Sequence, residues 1–148
     1  MNRDEHPPIP PIESATDPVR SAADMRERWR ALMGELRFGE RLLWVGFVGA
    51  DGRMYKTMSQ VPLRTKPQPG LTEYVMSRLT RVLAGLGPGT TVALLLTRPG
   101  HGPVSNLDRD WVSLLARVAG EYGVPLQPIF RANDDAVIEV EPKLKLAG

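Results

Sequence analysis

Residues 91–100 read TVALLLTRPG, and this run is the most informative part of the 148-residue sequence. Its first six residues show no alternation between polar and apolar side chains, which predicts a central strand covered on both faces. Pro99 and Gly100 end the strand, so Arg98 is expected to project at its carboxyl end. Open α/β sheets commonly place ligands at that end of their strands. The run therefore predicts the centre of a sheet and a surface of interest beside it.

The sequence on either side predicts the elements that surround this strand. Apolar residues recur at helical spacing in three segments, residues 21–36, 72–84 and 105–122. A β-hairpin is expected over residues 42–61, with strands at 42–48 and 54–58 and a turn at 49–52. Two short closing strands are expected at residues 124–130 and 136–140. The expected fold class is α/β (α+β): a mixed sheet with a β-hairpin, a central buried strand and three packed helices.

Composition divides the chain into a tail and one domain. Residues 1–20 contain five prolines and few apolar side chains, which predicts a disordered Pro-rich tail. An inert tail is favoured over a docking peptide for a partner, because such tails are common at termini. Residues 21–142 are expected to form a single α/β domain, and residues 143–148 are expected to fray.

Several function classes conflict with the composition. The sequence contains no cysteine, which excludes disulfides, thiolate metal sites and cysteine nucleophiles. No apolar run approaches the ~20 residues that span a bilayer, and the first residues lack the pattern of a secretory signal. A net charge of +2 gives no sign of a nucleic-acid footprint. We therefore expect a soluble cytoplasmic protein.

The run from Leu96 to Gly100, followed by Ser105-Asn106-Leu107-Asp108 at the start of a helix, resembles the signature of a known family. It is similar to the JAB/MPN metalloprotease-like fold, and most of all to its RadC-type branch. That family has His-x-His-Pro at the end of a buried strand and Ser-x-x-Asp at the next helix. The order of elements over residues 40–140 agrees with this resemblance.

The resemblance implies a member without its metal. In catalytic members, two histidines and an aspartate hold zinc and an early glutamate acts as the base. The histidine positions here are Leu96 and Arg98, while Asp108 and Ser105 keep the family residue types and Glu40 lies roughly where the glutamate is expected. Leucine cannot bind zinc and arginine carries a fixed positive charge. We therefore expect no metal, no cofactor and no hydrolase activity.

The candidate binding residues are Arg98, His101, Ser105 and Asp108. Arg98 either meets a ligand beside the glycine-flanked loop or forms a structural salt bridge with Asp108, and the salt bridge is favoured. Ser105 and Asp108 have the spacing of a capping box. Ser105 could act as a nucleophile only with His101 as its base, and the sequence offers that pair no clear orienting group, so no catalytic residue is assigned.

Two groups of charged residues are interpreted as solvated surface. One is the set of arginines around the first helix, Arg20, Arg26, Arg28, Arg30 and Arg37, which lie among acidic residues and mostly off the apolar stripe. The other is the acidic set Asp134, Asp135, Glu139 and Glu141, for which a solvated edge is favoured over a cation site.

These observations leave two functions open. The first is a non-catalytic protein-interaction or scaffold module, whose partner is another protein or a second copy of the chain. The alternative is a domain that binds a small-molecule phosphate or nucleic acid through Arg98 and the loop at residues 98–102. A contiguous basic patch around Arg98 would favour the alternative, and a neutral apolar patch would favour the first.

Overall fold

The structure, a computed structural model, describes Ile9 and residues 17–143. The predicted tail over the other residues before position 17 lies outside the described residues, as does the predicted fraying of residues 143–148 except at Lys143. The N–H of Lys143 donates a hydrogen bond of 2.7 Å to Ser113 Oγ. The helices are α1 (Ala22–Met33), α2 (Pro69–Ala84) and α3 (Asn106–Glu121). The strands are β1 (Leu42–Val48), β2 (Ser59–Pro62), β3 (Thr91–Thr97), β4 (Phe130–Ala132) and β5 (Val137–Glu139). None of the helices within this described part is long and apolar enough to cross a membrane.

The five strands form one mixed sheet in the order β2-β1-β3-β4-β5. Neighbouring strands are antiparallel except β3 and β4, which run parallel. β3 is the middle strand, and every residue in it after Thr91 is buried. The predicted fold class is therefore confirmed: a mixed α+β arrangement with a hairpin, a central buried strand and three packed helices.

The helices cover both faces of the sheet, as the apolar run in β3 predicted. Val92, Leu94 and Leu96 pack in one cluster with buried residues of α2 and α3. Ala93 and Leu95 belong to a second cluster, with Met25 and Trp29 of α1 and Phe130 of β4. Alternate residues of an extended strand point to opposite faces, so β3 contributes to both cores.

The returning strand of the hairpin lies later in the chain than predicted. β2 begins at Ser59, which pairs with Val45, whereas the predicted strand at residues 54–58 contributes only an isolated bridge between Met54 and Val48. More residues lie between Met54 and Ser59 than between their partners, so the returning chain bulges there. The Met54 side chain packs against Gly46, since a Cβ on Gly46 would lie 2.8 Å from the terminal methyl group of Met54.

Other boundaries differ from prediction by a few residues for local reasons. α1 ends at Met33 because Gly34 adopts a left-handed φ of 64°. α2 begins at Pro69, since proline is well suited to the first turn of a helix. The first closing strand forms only at Phe130, and the residues before it make a single bridge between Leu126 and Val92.

Residues 17–20, which were assigned to the tail, are part of the packed structure. Val19 is buried in the cluster beneath α1. Its N–H donates a hydrogen bond of 2.6 Å to the carbonyl of Gly52 in the β1–β2 turn. Gly52 has a φ of 83°, and a Cβ on it would lie 2.9 Å from the Val19 carbonyl oxygen. The turn and the segment before α1 therefore require glycine at this position.

The prediction of a solvated arginine face on α1 is wrong for two of its members. Arg28 and Arg30 are both buried. Arg28 donates from Nη2 to the carbonyl of Asp17 at 2.6 Å. The segment before α1 therefore folds back over the helix, and helical periodicity alone does not reveal such a contact. Burial lowers the pKa of both guanidinium groups, even though Asp17 and Asp24 oppose this for Arg28.

Candidate functional site

Two loops meet beyond the carboxyl ends of β3 and β4, because these strands run parallel. Thr97 lies opposite Ala132 in the parallel register. The N–H of Arg98 extends this pairing, with a hydrogen bond of 3.0 Å to the carbonyl of Ala132. The loop at residues 98–104 and the loop at residues 133–136 are therefore neighbours, although they are far apart in sequence.

Arg98 and Asp108 form a two-point salt bridge at this end of the sheet. Nε of Arg98 donates to Oδ1 of Asp108 at 2.8 Å, and Nη2 donates to Oδ2 at 3.0 Å. The two side chains are only 12% and 3% exposed. Hydrogen bonding to Asp108 raises the pKa of Arg98. The predicted salt bridge is confirmed, and it has the paired geometry that makes arginine–carboxylate contacts strong.

The start of α3 contributes a capping box to the same carboxylate. Ser105 Oγ accepts a hydrogen bond of 3.0 Å from the N–H of Asp108, and Asp108 Oδ2 accepts one of 2.9 Å from the N–H of Ser105. This confirms the predicted capping box. Burial acts to raise the pKa of Asp108, but hydrogen bonds from Arg98 and Ser105, with the charges of Arg98 and Arg131, lower it overall. Asp108 is therefore ionised and fully engaged.

A second cation, Arg131 of β4, lies behind the salt bridge, and the sequence did not reveal it. Its side chain is 1% exposed, and its Nη1 lies 3.5 Å from Oδ2 of Asp108 and 3.5 Å from the carbonyl of Gly102. Its Nε makes no hydrogen bond within the described part of the chain. Burial lowers the pKa of Arg131, and the charge of Asp108 only partly offsets this effect. Two guanidinium groups thus share one carboxylate.

Three residues after β4 hold the loop after β3 in place. Asn133 is fully buried, and its Nδ2 donates to the carbonyl of Gly102 at 2.9 Å. Asp134 accepts the N–H of Gly100 at 2.9 Å, and Asp135 accepts the N–H of Gly102 at 2.7 Å. The interpretation of Asp134 and Asp135 as a simple solvated edge is therefore wrong. Both are half-buried carboxylates that accept backbone hydrogen bonds.

Glu139 and Glu141 do not join these carboxylates. Both are exposed on or just after β5. Among the residues that the structure describes, no group of three histidine, cysteine, aspartate or glutamate side chains is placed to hold a metal ion. The oxygen atoms of Asp108 are instead bound by guanidinium groups and a backbone N–H.

His101 pairs with an aspartate and not with Ser105. Its Nδ1 lies 2.7 Å from Oδ1 of Asp135, and the imidazole is 74% exposed. Ser105 Oγ is engaged with the N–H of Asp108. The geometry therefore leaves Ser105 without His101 as an activating base. The hydrogen bond and charge of Asp135 raise the pKa of His101.

We expect an NMR titration to find the pKa of His101 above the ordinary histidine value of about 6.5. The second histidine of the sequence, His6, gives a resonance for comparison and is identified with a His6→Gln variant. Asp135→Asn removes the charge and should move the pKa of His101 downward. Because the folded pKa is raised, the pair contributes stability at acid pH and loses it as the pH rises through that pKa. An unchanged His101 titration in the variant would contradict this assignment.

A small cleft opens beside the salt bridge. Its walls are Leu63, Leu96, Thr97, Trp111, Arg41, Arg98 and Asp108. The cavity volume is about 10 Å³, which is about the space that one water molecule occupies. Trp111 is held in the wall by a hydrogen bond of 3.1 Å from its Nε1 to the carbonyl of Thr65. The sequence did not indicate Arg41, which comes from the start of β1.

Glu40 is not among the residues that line this cleft, although its chain neighbour Arg41 is. Glu40 is exposed and borders a more open groove of about 290 Å³, with Met33, Phe38 and Trp44 among the lining residues. The apolar members of that groove belong to the cluster on the α1 face of the sheet. The cleft beside Arg98 belongs to the opposite face, where Leu96 packs with α2 and α3.

Comparison with known proteins finds no relative of this chain. No family model, no curated protein and no solved structure matches the chain. The role of the site is therefore inferred from its own residues.

Proposed function

We propose that this chain is a non-catalytic protein-interaction or scaffold domain, a metal-free member of the JAB/MPN-like fold. The observation that carries the proposal is the two-point salt bridge of Arg98 and Asp108. It occupies the place where a reactive group is expected, beyond the end of the central strand. Both partners are satisfied within the protein, so the site is built for stability.

The residues present do not fit the zinc that the resemblance implies. Leu96, Arg98 and Asp108 line one cleft, which is how the two histidines and the aspartate of a zinc site would have to lie. Leu96 supplies no donor atom, and Arg98 places a permanent positive charge against the carboxylate. No step of a hydrolysis is therefore assigned to this chain.

The alternative of a phosphate or nucleic-acid site on the loop at residues 98–102 has less support. Anion sites on glycine-rich loops use free backbone N–H groups. Here the N–H groups of Gly100 and Gly102 donate to the carboxylates of Asp134 and Asp135. Those carboxylates would also repel a phosphate. The N–H groups of Gly100 and Gly102 are therefore already hydrogen-bonded to acidic side chains.

The proposed partner is another protein or a second copy of the chain, and the proposed compartment is the cytoplasm. A chain without cysteine suits a reducing compartment. Sedimentation across a concentration series tests self-association. Affinity capture with the full chain, followed by titration with the purified partner, tests binding to another protein. The interaction function would be refuted if the chain neither self-associates nor binds any partner in a saturable manner.

The dependence of thermal stability on zinc is the most direct test of the proposal that the chain binds no metal. We expect the melting temperature of the wild-type protein to be the same with zinc and with a chelator, and its metal content to be below stoichiometric. The double variant Leu96→His, Arg98→His should gain stabilisation by zinc, since a ligand that binds only the folded state raises its stability. Circular dichroism checks that the double variant folds.

Each arm of the zinc test has an outcome that contradicts the proposal. Stoichiometric zinc in the wild-type protein would overturn the metal-free assignment. A folded double variant that gains nothing from zinc would argue against the family resemblance, because Asp108 and the two new histidines would then lack the geometry of a zinc site. Leu96→His alone serves as the control with one histidine.

A further inference from the structure

The cleft beside the salt bridge contains a cation that pairs with no residue in the described part of the chain. Arg41 lines the cleft and is half-buried. Its guanidinium group makes no hydrogen bond or ion pair with any residue that the structure describes. Burial, and next the charge of Arg98, lower the pKa of Arg41, while Asp108 opposes this. An arginine in this position is poorly compensated, because a partly buried charge is costly unless it is paired.

The charges around the cleft do not balance. Arg41, Arg98 and Arg131 all lie close enough to Asp108 to feel its charge. Arg98 takes both carboxylate oxygens in short hydrogen bonds, and Arg131 approaches one of them. None of these contacts involves Arg41, and no ion pair joins Arg41 to Asp108 among the described residues. Asp134 also acts on Arg98, and Asp135 acts on Arg131. The charge left without a carboxylate of its own among the described residues is that of Arg41, which one more carboxylate would neutralise.

The chain bordering the cleft is also basic. Leu63 forms part of the wall, and the carbonyl of Thr65 holds Trp111. Arg64 lies between Leu63 and Thr65, and Lys66 follows Thr65. Both of these basic residues are exposed. The sequence contains no acidic residue from position 52 to position 72. A negatively charged segment that approached Arg41 would therefore meet no repulsion from this side.

We infer that Arg41 and the cleft beside it bind a carboxylate carried by an acidic segment of a protein partner. The inference rests on the proposed interaction function and names the chemistry of the partner. A guanidinium group offers two parallel N–H donors that match a carboxylate. Leu63 and Trp111 make part of the wall apolar, so little water competes for the guanidinium group there. A single recessed oxygen fits a cavity with room for about one water molecule.

A carboxylate fits this cleft better than a phosphate does. The wall already contains the carboxylate of Asp108, which would repel a dianion more strongly than a monoanion. The backbone N–H groups of the adjacent loop are already used by Asp134 and Asp135. Acidic peptide is therefore the proposed occupant, and nucleic acid is an outcome of the test.

The test uses the indole N–H of Trp111 as a local reporter in NMR. The 148-residue protein is titrated with a peptide rich in glutamate and leucine whose termini are blocked. Three further titrations use the same peptide with glutamine in place of glutamate, inorganic phosphate, and a single-stranded oligonucleotide. We expect the acidic peptide to shift the Trp111 resonance in a saturable manner and the glutamine peptide to leave it unchanged. Arg41→Gln should weaken binding at least tenfold, and Arg41→Lys should weaken it less.

Arg81→Gln is the matched control. Arg81 is exposed on α2, and this substitution removes the same charge as Arg41→Gln. It should bind the acidic peptide like the wild-type protein. Equal weakening in both variants would reduce the effect to net charge and overturn the assignment to Arg41. Stronger, Arg41-dependent binding of phosphate or oligonucleotide would overturn the carboxylate in favour of a phosphate ligand. No Trp111 shift with any probe would overturn the site.

The outcomes separate this inference from the interaction function itself. If Arg41→Gln still binds a purified protein partner as the wild-type chain does, the inference fails and the interaction function stands. If the wild-type chain neither self-associates nor binds any partner and the acidic peptide also gives no shift, both fail. Melting temperatures of the Arg41 variants verify that each protein is folded before binding is compared.

Discussion

Asp108→Asn is expected to lower the free energy of unfolding by about 3–5 kcal/mol, the usual cost of breaking a buried ion pair from one side. The substitution keeps the size of the side chain but removes its charge. Arg98 and Arg131 are then both left buried with no anion between them. The amide can accept one hydrogen bond in place of the carboxylate, but its NH₂ group faces donors. Urea unfolding of the purified protein measures the loss.

Asp110→Asn is the matched control for this prediction, because it makes the same change in the same helix. Asp110 pairs with Lys143 at 2.6 Å, and both side chains are about half exposed. A surface ion pair contributes about 1 kcal/mol or less. Similar losses in the two variants would contradict the assignment of Asp108 as the anchor of the site.

The pH dependence of the Asp108 effect has a definite sign. The pKa of Asp108 is lowered in the folded state. Its ionised form therefore contributes stability above the unfolded pKa of about 4, and this stability is lost as the pH falls through the folded value. The difference between wild type and Asp108→Asn should be largest near neutral pH and shrink in acid. A difference that does not change with pH would point to lost packing and not to lost charge.

The sequence was sufficient to predict the part of the site that is local in the chain. Ser105 and Asp108 are three residues apart, and their capping box depends only on that spacing. Arg98 follows β3 directly, and the salt bridge to Asp108 spans one short loop. The central strand was predicted for a similar reason, since an unbroken apolar run reports burial on two faces.

The remainder of the site depends on which strands are neighbours, and a hydrophobic pattern does not report strand pairing. Arg131, Asn133 and the two aspartates reach the loop after β3 only because β3 and β4 are parallel partners. A three-residue strand is too short for periodicity to mark Arg131 as buried. Arg41 was missed for the same reason, because it meets Arg98 through the pairing of β1 with β3. One sequence feature could have indicated Arg131 and Asn133. They come directly before the acidic turn at Asp134 and Asp135, and this turn would lie beside Arg98 if its strand were paired in parallel with β3.

The buried arginines of α1 show a second limit of helical periodicity. It places residues relative to the helix axis, but it does not report what covers the outer face. Arg28 is buried by the segment that contains Asp17, which precedes the helix. The misplaced returning strand has a related cause. The register of a hairpin depends on bulges, and here the extra residues between Met54 and Ser59 shift the pairing.

Arg98→Met and Arg131→Met are expected to have very different effects, although both remove one buried guanidinium group beside Asp108. Arg98 supplies the two short hydrogen bonds, at 2.8 and 3.0 Å, so its loss leaves the carboxylate largely uncompensated. We expect a loss of about 3 kcal/mol in the free energy of unfolding. Arg131 makes only contacts of 3.5 Å and has a buried Nε without a hydrogen bond within the described residues. Its replacement should change stability by less than about 1 kcal/mol.

The comparison of these two variants decides whether Asp108 is held by Arg98 alone or by Arg98 and Arg131 together. In Arg131→Met the pair of Arg98 and Asp108 remains, the carbonyl of Gly102 keeps its bond from Asn133, and an uncompensated charge is gone from the core. Urea unfolding of both single variants and of the double variant gives the coupling energy between the arginines. Equal losses in the two single variants would mean that both guanidinium groups are needed to hold Asp108. A small loss for Arg131→Met would instead mean that the fold tolerates Arg131 as an excess buried cation and that Arg98 alone holds Asp108.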